Sequence, residues 1–185
     1  MNTRNLTRSV RRLTVVAATA AAALLAACAG PQVDDYARET PKLVLREYFN
    51  GPMTAHGVFT DRSGKVARRF TVRMVGRWTG NEGVLEEDFF YSDGKTERRV
   101  WRLTDLGDGR YTGRADDVLG EAQGRAAGNA LRWQYTLKLP VDGKTYEVQF
   151  HDWMYLMDDK VMLNKAVMSK FGIRLGEVTL AFHKP

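Results

Sequence analysis

Four groups of residues in this 185-residue chain are of types that do chemistry. The first is His151-Asp152, followed by Trp153, Met154 and Tyr155. A histidine beside an aspartate suggests a proton-moving dyad. Adjacent residues on a strand point to opposite faces, so this pair cannot work together without a kink. The second is Asp116-Asp117, set among Gly113, Gly120, Gly124 and Gly128. Glycines inside strands mark bends or close approach, so the acids either stand at the mouth of a cavity or cap a bent turn. The third is Glu86-Glu87-Asp88, which can face Arg98-Arg99 across an Asp93-Gly94 turn. On an outer face such ladders contribute little; turned inward, they would hold a polar head group. The outer face is the expectation. The fourth is Cys28, a lone cysteine, which excludes a disulfide within the chain.

Other chemistries find no pattern. His56, His151 and His183 have no paired spacing, and the aspartate pairs do not fit a calcium loop. No serine stands in a Gly-x-Ser-x-Gly elbow, and no glycine run leads into Lys-Ser or Lys-Thr. No metal, cofactor or catalytic residue is therefore assigned.

The elements that must position these groups are strands. Leu131, Trp133, Tyr135, Leu137 and Leu139 alternate with Arg132, Gln134, Thr136 and Lys138. That period of two is a half-buried strand. Phe70, Val72, Met74, Gly76 and Trp78 alternate in the same way, as do Tyr146, Val148 and Phe150. Further strands are expected over 54–60, 84–91, 96–104, 110–116, 121–128, 161–168 and 175–183. Arg62-Ser-Gly-Lys65, Ser92-Asp-Gly-Lys95, Asp108-Gly109 and Val141-Asp-Gly-Lys144 separate such runs, and Asp158-Asp159 marks another turn. Asp-Gly supplies the positive φ of tight hairpins. Residues 41–51 read as a short helical or extended lead-in closed by Asn50-Gly51. The expected fold is all-β: an antiparallel meander of about 8–10 strands, closed into a lipocalin-like barrel that leaves no free edge. A two-layer sandwich is the alternative.

The amino-terminal end has a different character. Arg4, Arg8, Arg11 and Arg12 precede an apolar run over residues 13–27, which ends in Leu25-Ala26-Ala27-Cys28. The run has the length of a secretory signal core and falls short of the roughly 20 apolar residues of a spanning helix. The four-residue stop resembles the lipobox of bacterial lipoproteins. That resemblance implies cleavage after Ala27 and a lipid anchor on Cys28, with acylation making attachment to the membrane stable. Ala29, in place of aspartate, points to the outer membrane, facing the periplasm. Four of the six net positive charges belong to the leader, so the rest of the chain is nearly balanced and nucleic acid is not an expected partner. The expected organisation is a signal peptide at 1–27, a tether at 28–40 and one domain at 41–185.

Four stretches carry a family resemblance: YFNGPMTAHGVFTDRSGKVARRF from Tyr48, DDVLGEAQGRAAGNALRWQY from Asp116, DWMYLMDD from Asp152 and NKAVMSKFGIRLGEVTLAF from Asn164. In these the chain resembles the DUF3833 family of bacterial lipoproteins, to which no activity is assigned. The resemblance implies an exported, lipocalin-like barrel and makes a fatty acid or phospholipid the expected ligand. Relatives carry Asp-Asp-Trp where this chain has His151-Asp152-Trp153, which argues against an essential acid at position 151.

The leading expectation is a membrane-anchored binding or carrier module for a small apolar or lipid ligand. Trp78, Trp101, Trp133, Trp153, Asp116, Asp117 and Asp152 are the candidate ligand contacts. One alternative is an enzyme acting on envelope lipids through Asp116, Asp117 and Asp152, and another is a structural lipoprotein that binds an envelope protein. The sequence leaves open whether the barrel is hollow, because inward residues alternate identically in a hollow and a packed one.

Overall fold

In the computed structural model, which describes residues 30–185 apart from residue 142, each alternating run is a strand. In chain order these are β1 (Gly51–Asp61), β2 (Val66–Thr79), β3 (Glu82–Tyr91), β4 (Thr96–Gly107), β5 (Arg110–Arg114), β6 (Val118–Ala127), β7 (Ala130–Val141), β8 (Lys144–Leu156), β9 (Val161–Lys170) and β10 (Ile173–His183). Each pairs antiparallel with its chain neighbours, and β1 also pairs with β10, which closes the barrel. Closure gives every strand two partners and removes the sheet edges. The expected strands are all present. The 110–116 run ends early, at Arg114, because the Asp116-Asp117 pair lies in the turn that leads into β6.

The chain divides into two units, Met1–Gln32 and Val33–Pro185. The leader, Ala27 and Cys28 lie outside the described residues. The barrel unit begins at Val33, inside the stretch read as a tether. A 3-10 turn at Val33–Tyr36 lies against β6 and β7. Tyr36 meets the Tyr155 ring edge-on at 5.3 Å, and Asp34 accepts from Arg125 at 2.8 Å. These contacts come from scattered single residues, which leave no periodic trace in sequence.

One end of the barrel is stoppered by the lead-in. The short helix α1 (Leu45–Tyr48) buries Leu45 and Tyr48, and Leu43 and Phe49 are buried beside it. Leu43 N–H donates to Gly128 O, Trp78 Nε1–H to Phe49 O, and Tyr48 Oη–H to Lys160 O. These bonds satisfy polar groups that would otherwise be stranded under the stopper.

Inward positions follow the alternation. Near the stopper Met53, Met74, Leu85, Leu103, Leu131, Leu156 and Met162 are buried. Trp133 fits across the interior because its neighbours on the inner face are Gly113 and Gly124. A Cβ at Gly113 would lie 2.7 Å from the indole, and one at Gly124 would collide with the same ring. The core packs large rings against bare backbone, which keeps density high without overfilling.

Candidate functional site

Toward the unstoppered end buried inward side chains, Phe70, Val118, Leu137, Val148 and Met168, are mixed with less buried ones. Phe59, Phe89, Tyr91, Tyr135, Leu139 and Val178 continue the inner face, yet each is only partly buried. They line the hairpin end of the interior, which the turns at 62–65, 92–95, 115–117 and 171–172 surround. Its walls are aromatic: Tyr135 stacks on Phe150 at 5.0 Å, and Trp101 meets Tyr135 edge-on at 5.4 Å.

Charged and polar groups stand on the inner face below this lining. The register pairs Glu87 with Arg99, on β3 and β4, and both point inward. Alternation splits the acidic ladder read in the sequence. Glu86 and Asp88 meet Arg98 on the outer wall, as expected for surface pairs, while Glu87 faces the interior, where its buried carboxyl lies 3.9 Å from Arg99. Arg99 binds Asp117 more closely. Its Nε and Nη2 donate to Asp117 Oδ2 at 2.9 and 2.7 Å, a two-pronged charge-assisted contact. Burial disfavours the Arg99 cation, but Tyr135, Asp117 and Glu87 more than offset this and hold it charged.

Asp152 is the deepest acid, 6 % exposed, on β8 opposite Trp133 and Ala166. Its Oδ1 has no hydrogen-bond partner among the described residues. Burial pushes its carboxyl up to about 8; Arg99 opposes that rise and Glu87 adds to it. Burial likewise pushes Glu87 up to about 7, with Arg99 pulling down and Asp117 pushing up. Burial also raises the Tyr135 hydroxyl far above its ordinary range, with Asp152 next in effect. A carboxyl with an orphaned oxygen costs about 1–3 kcal/mol. Such a cost in an otherwise packed barrel marks a place to look for function.

The expected contact residues divide by position. Trp101, Trp133, Asp117 and Asp152 belong to the interior group. Asp116 does not join them; it is exposed on the turn, one residue out of phase with Asp117. Trp78 faces inward at the stopper, packed over Gly83 and bonded to Phe49, away from the hairpin end. Trp153 turns outward, as its place next to inward Asp152 requires, and stacks on Tyr155 beside Tyr36. His151 is also outward, bonded to Gln134. Glu87 and Arg99 were expected on the outer face, and Tyr135 was not singled out. A signal for them existed: each is a polar residue in the apolar phase of its strand, Glu87 between Leu85 and Phe89, Arg99 before Trp101, and Tyr135 between Trp133 and Leu137.

A separate groove of about 570 Å³ crosses the outer wall, where Phe90 and Leu163 are exposed beside His56, Val58, Thr71 and Ala181. Among the described residues, no three His, Cys, Asp or Glu side chains gather closely enough to hold a metal ion, and no helix is long and apolar enough to cross a membrane.

No curated protein matches this chain. Among solved structures, a designed fluorescence-activating β-barrel covers 77 % of this chain and 99 % of its own, at 11 % identity and a TM-score of 0.42. The sequence profile of the family described as "Protein of unknown function (DUF3833)" matches residues 22–184. With most of its length inside that match, the chain belongs to the DUF3833 family.

Proposed function

We propose that this protein is a lipoprotein of the bacterial envelope, anchored through Cys28 after cleavage behind Ala27, whose barrel holds a small apolar or amphipathic ligand such as an acyl chain. The inner face at the hairpin end supports the binding part of this reading: Phe59, Phe89, Tyr91, Tyr135, Leu139 and Val178 point inward there yet are partly exposed. These side chains, set among buried Phe70, Val118, Leu137, Val148 and Met168, offer apolar surface to a small ligand. The Leu25-Ala26-Ala27-Cys28 stop supports the anchor, and Ala29 supports the outer membrane facing the periplasm.

Native mass spectrometry of residues 29–185, gently purified from a bacterial host and then extracted with organic solvent, tests the binding reading. One retained fatty acid or phospholipid per barrel is the expected result. A bare mass that takes up no added amphiphile would overturn it. For the anchor, Cys28→Ser should abolish the lipid mass and release the protein from the membrane fraction.

A second reading, an enzyme acting on envelope lipids, draws support from the near-neutral titration of Glu87 and Asp152, the range of useful general acids and bases. It predicts cleaved or altered lipid in the same extract, lost in Asp152→Asn.

A further inference from the structure

The interior carries three carboxyls, those of Glu87, Asp117 and Asp152, and one guanidinium, that of Arg99. Asp117 occupies the guanidinium through two nitrogens, while Glu87 reaches it only at 3.9 Å. Asp152 has no cation of its own and an acceptor oxygen with no partner among the described residues. A ligand carboxylate would therefore be a fourth acid, competing with Asp117 for a cation already taken. Where Glu87 and Asp152 are ionised, burying further negative charge is unfavourable, whereas an added cation completes the pairing. Aromatic rings are close by: Trp133 stands opposite Asp152, and Trp101, Tyr135 and Phe150 pack in a chain with it, and aromatic rings attract ammonium groups. Opposite Asp152 on β9 stands Ala166, a small side chain that offers the carboxyl no polar partner. Since the acids do not gather into a metal-holding group among the described residues, an organic cation fits better than a divalent ion.

The geometry points to an amphiphile with an ammonium head as the ligand, its charge placed beside Asp152 and Glu87 and its apolar tail against the inward side chains of the hairpin end. This inference rests on the reading of the barrel as a holder of amphiphiles and specifies the head group. The facing groups are Glu87 from β3, Arg99 from β4, Asp117 from the turn before β6, Tyr135 from β7 and Asp152 from β8; β9 contributes Ala166 and Asn164, which do not titrate. In the empty barrel burial keeps protons on Glu87 and Asp152, so an arriving ammonium displaces them. Affinity for the cation should therefore rise with pH through the range where these acids ionise, about 7 to 8.

The test compares dodecylamine, dodecanoate and dodecanol, each below its aggregation concentration, by titration calorimetry on residues 29–185, which contain the whole barrel unit and its core. At pH 8.5 dodecylamine should bind at least about tenfold more tightly than dodecanoate, equivalent to ~1.4 kcal/mol. Its affinity should fall at pH 6. Asp152→Asn, with Glu87→Gln as a second variant should the first not fold, should remove most of that preference and leave dodecanol binding in place. Equal or tighter binding of dodecanoate would overturn the inference and leave the amphiphile reading standing. An amine preference that survives both variants would also overturn it. Failure of all three probes to bind would overturn both.

Discussion

Arg99 on β4 and Asp117 in the turn before β6 are joined by two nitrogen–oxygen contacts of 2.9 and 2.7 Å, although β5 lies between their strands. The contact ties the turn at 115–117 to an inward side chain of β4. With Glu87 at 3.9 Å, the guanidinium balances two acids at once.

Removing that cation should be costly. Arg99→Met keeps the length of the stem but leaves buried Glu87 and inward Asp117 without their partner. Breaking a buried pair from one side costs about 3 kcal/mol or more. Chemical denaturation at pH 7.5 should show this loss, and Asp117→Asn, which retains a polar partner at a more exposed position, should lose less.

Stability should fall as pH rises. Glu87 and Asp152 hold their protons more tightly folded than unfolded, so the native state binds more protons between about pH 4 and the folded values near 7 and 8. The unfolding free energy then has a negative slope in that window, with stability fully present below the unfolded values and lost as pH passes through the folded ones. The melting temperature should be several degrees higher at pH 5 than at pH 8.5, a difference on the order of a few kcal/mol. Asp152→Asn should flatten the dependence and raise the melting temperature mainly at the alkaline end.

The tight seat of Trp133 gives a packing prediction. In Gly124→Ala the new methyl would occupy the position of the indole, so the ring or the strand must shift. Overpacking of this kind costs about 1–3 kcal/mol. Near-ultraviolet circular dichroism should report the displaced indole, and the variant should melt below the parent.

At the stopper, Trp78→Phe retains an aromatic ring and removes the donor to Phe49 O. The loss of one such bond should cost about 1 kcal/mol. Hydrogen exchange should rise first in the lead-in around Phe49 and leave the β7–β8 ladder protected.

The strands were legible because alternation and Asp-Gly turns are local signals. Leu131 to Leu139 alternates without a break, and the hairpins at 62–65 and 92–95 fall where Ser-Gly and Asp-Gly stand. The docking of Val33–Tyr36 was not legible, since Tyr36 finds Trp153 and Tyr155 from more than a hundred residues away. The site was half legible. Asp117 and Asp152 drew notice as acids, whereas Glu87 and Arg99 were hidden in a run that looked like a surface ladder. Only the inward phase of Leu85 and Trp101 separates them from Glu86 and Arg98. Trp153 misled because its apolar size suggested the interior, while its parity on β8 assigned it to the outer wall.

The pairing of β1 with β10 has a consequence for the order of assembly. All other strand pairings join chain neighbours and can zip up as hairpins, with little loop entropy to overcome. The last pairing sets Ala55 beside Phe182 and needs the whole chain. Until β10 exists, β1 and β9 each present an open edge to any other strand nearby. The stopper is made first but finishes late, because Gly128, Lys160 and Phe182, which receive it, come from β-hairpins and strands further along. A chain cut short before Ile173 would thus lack both its seam and the wall that seats Phe49, and should associate with its own copies instead of closing.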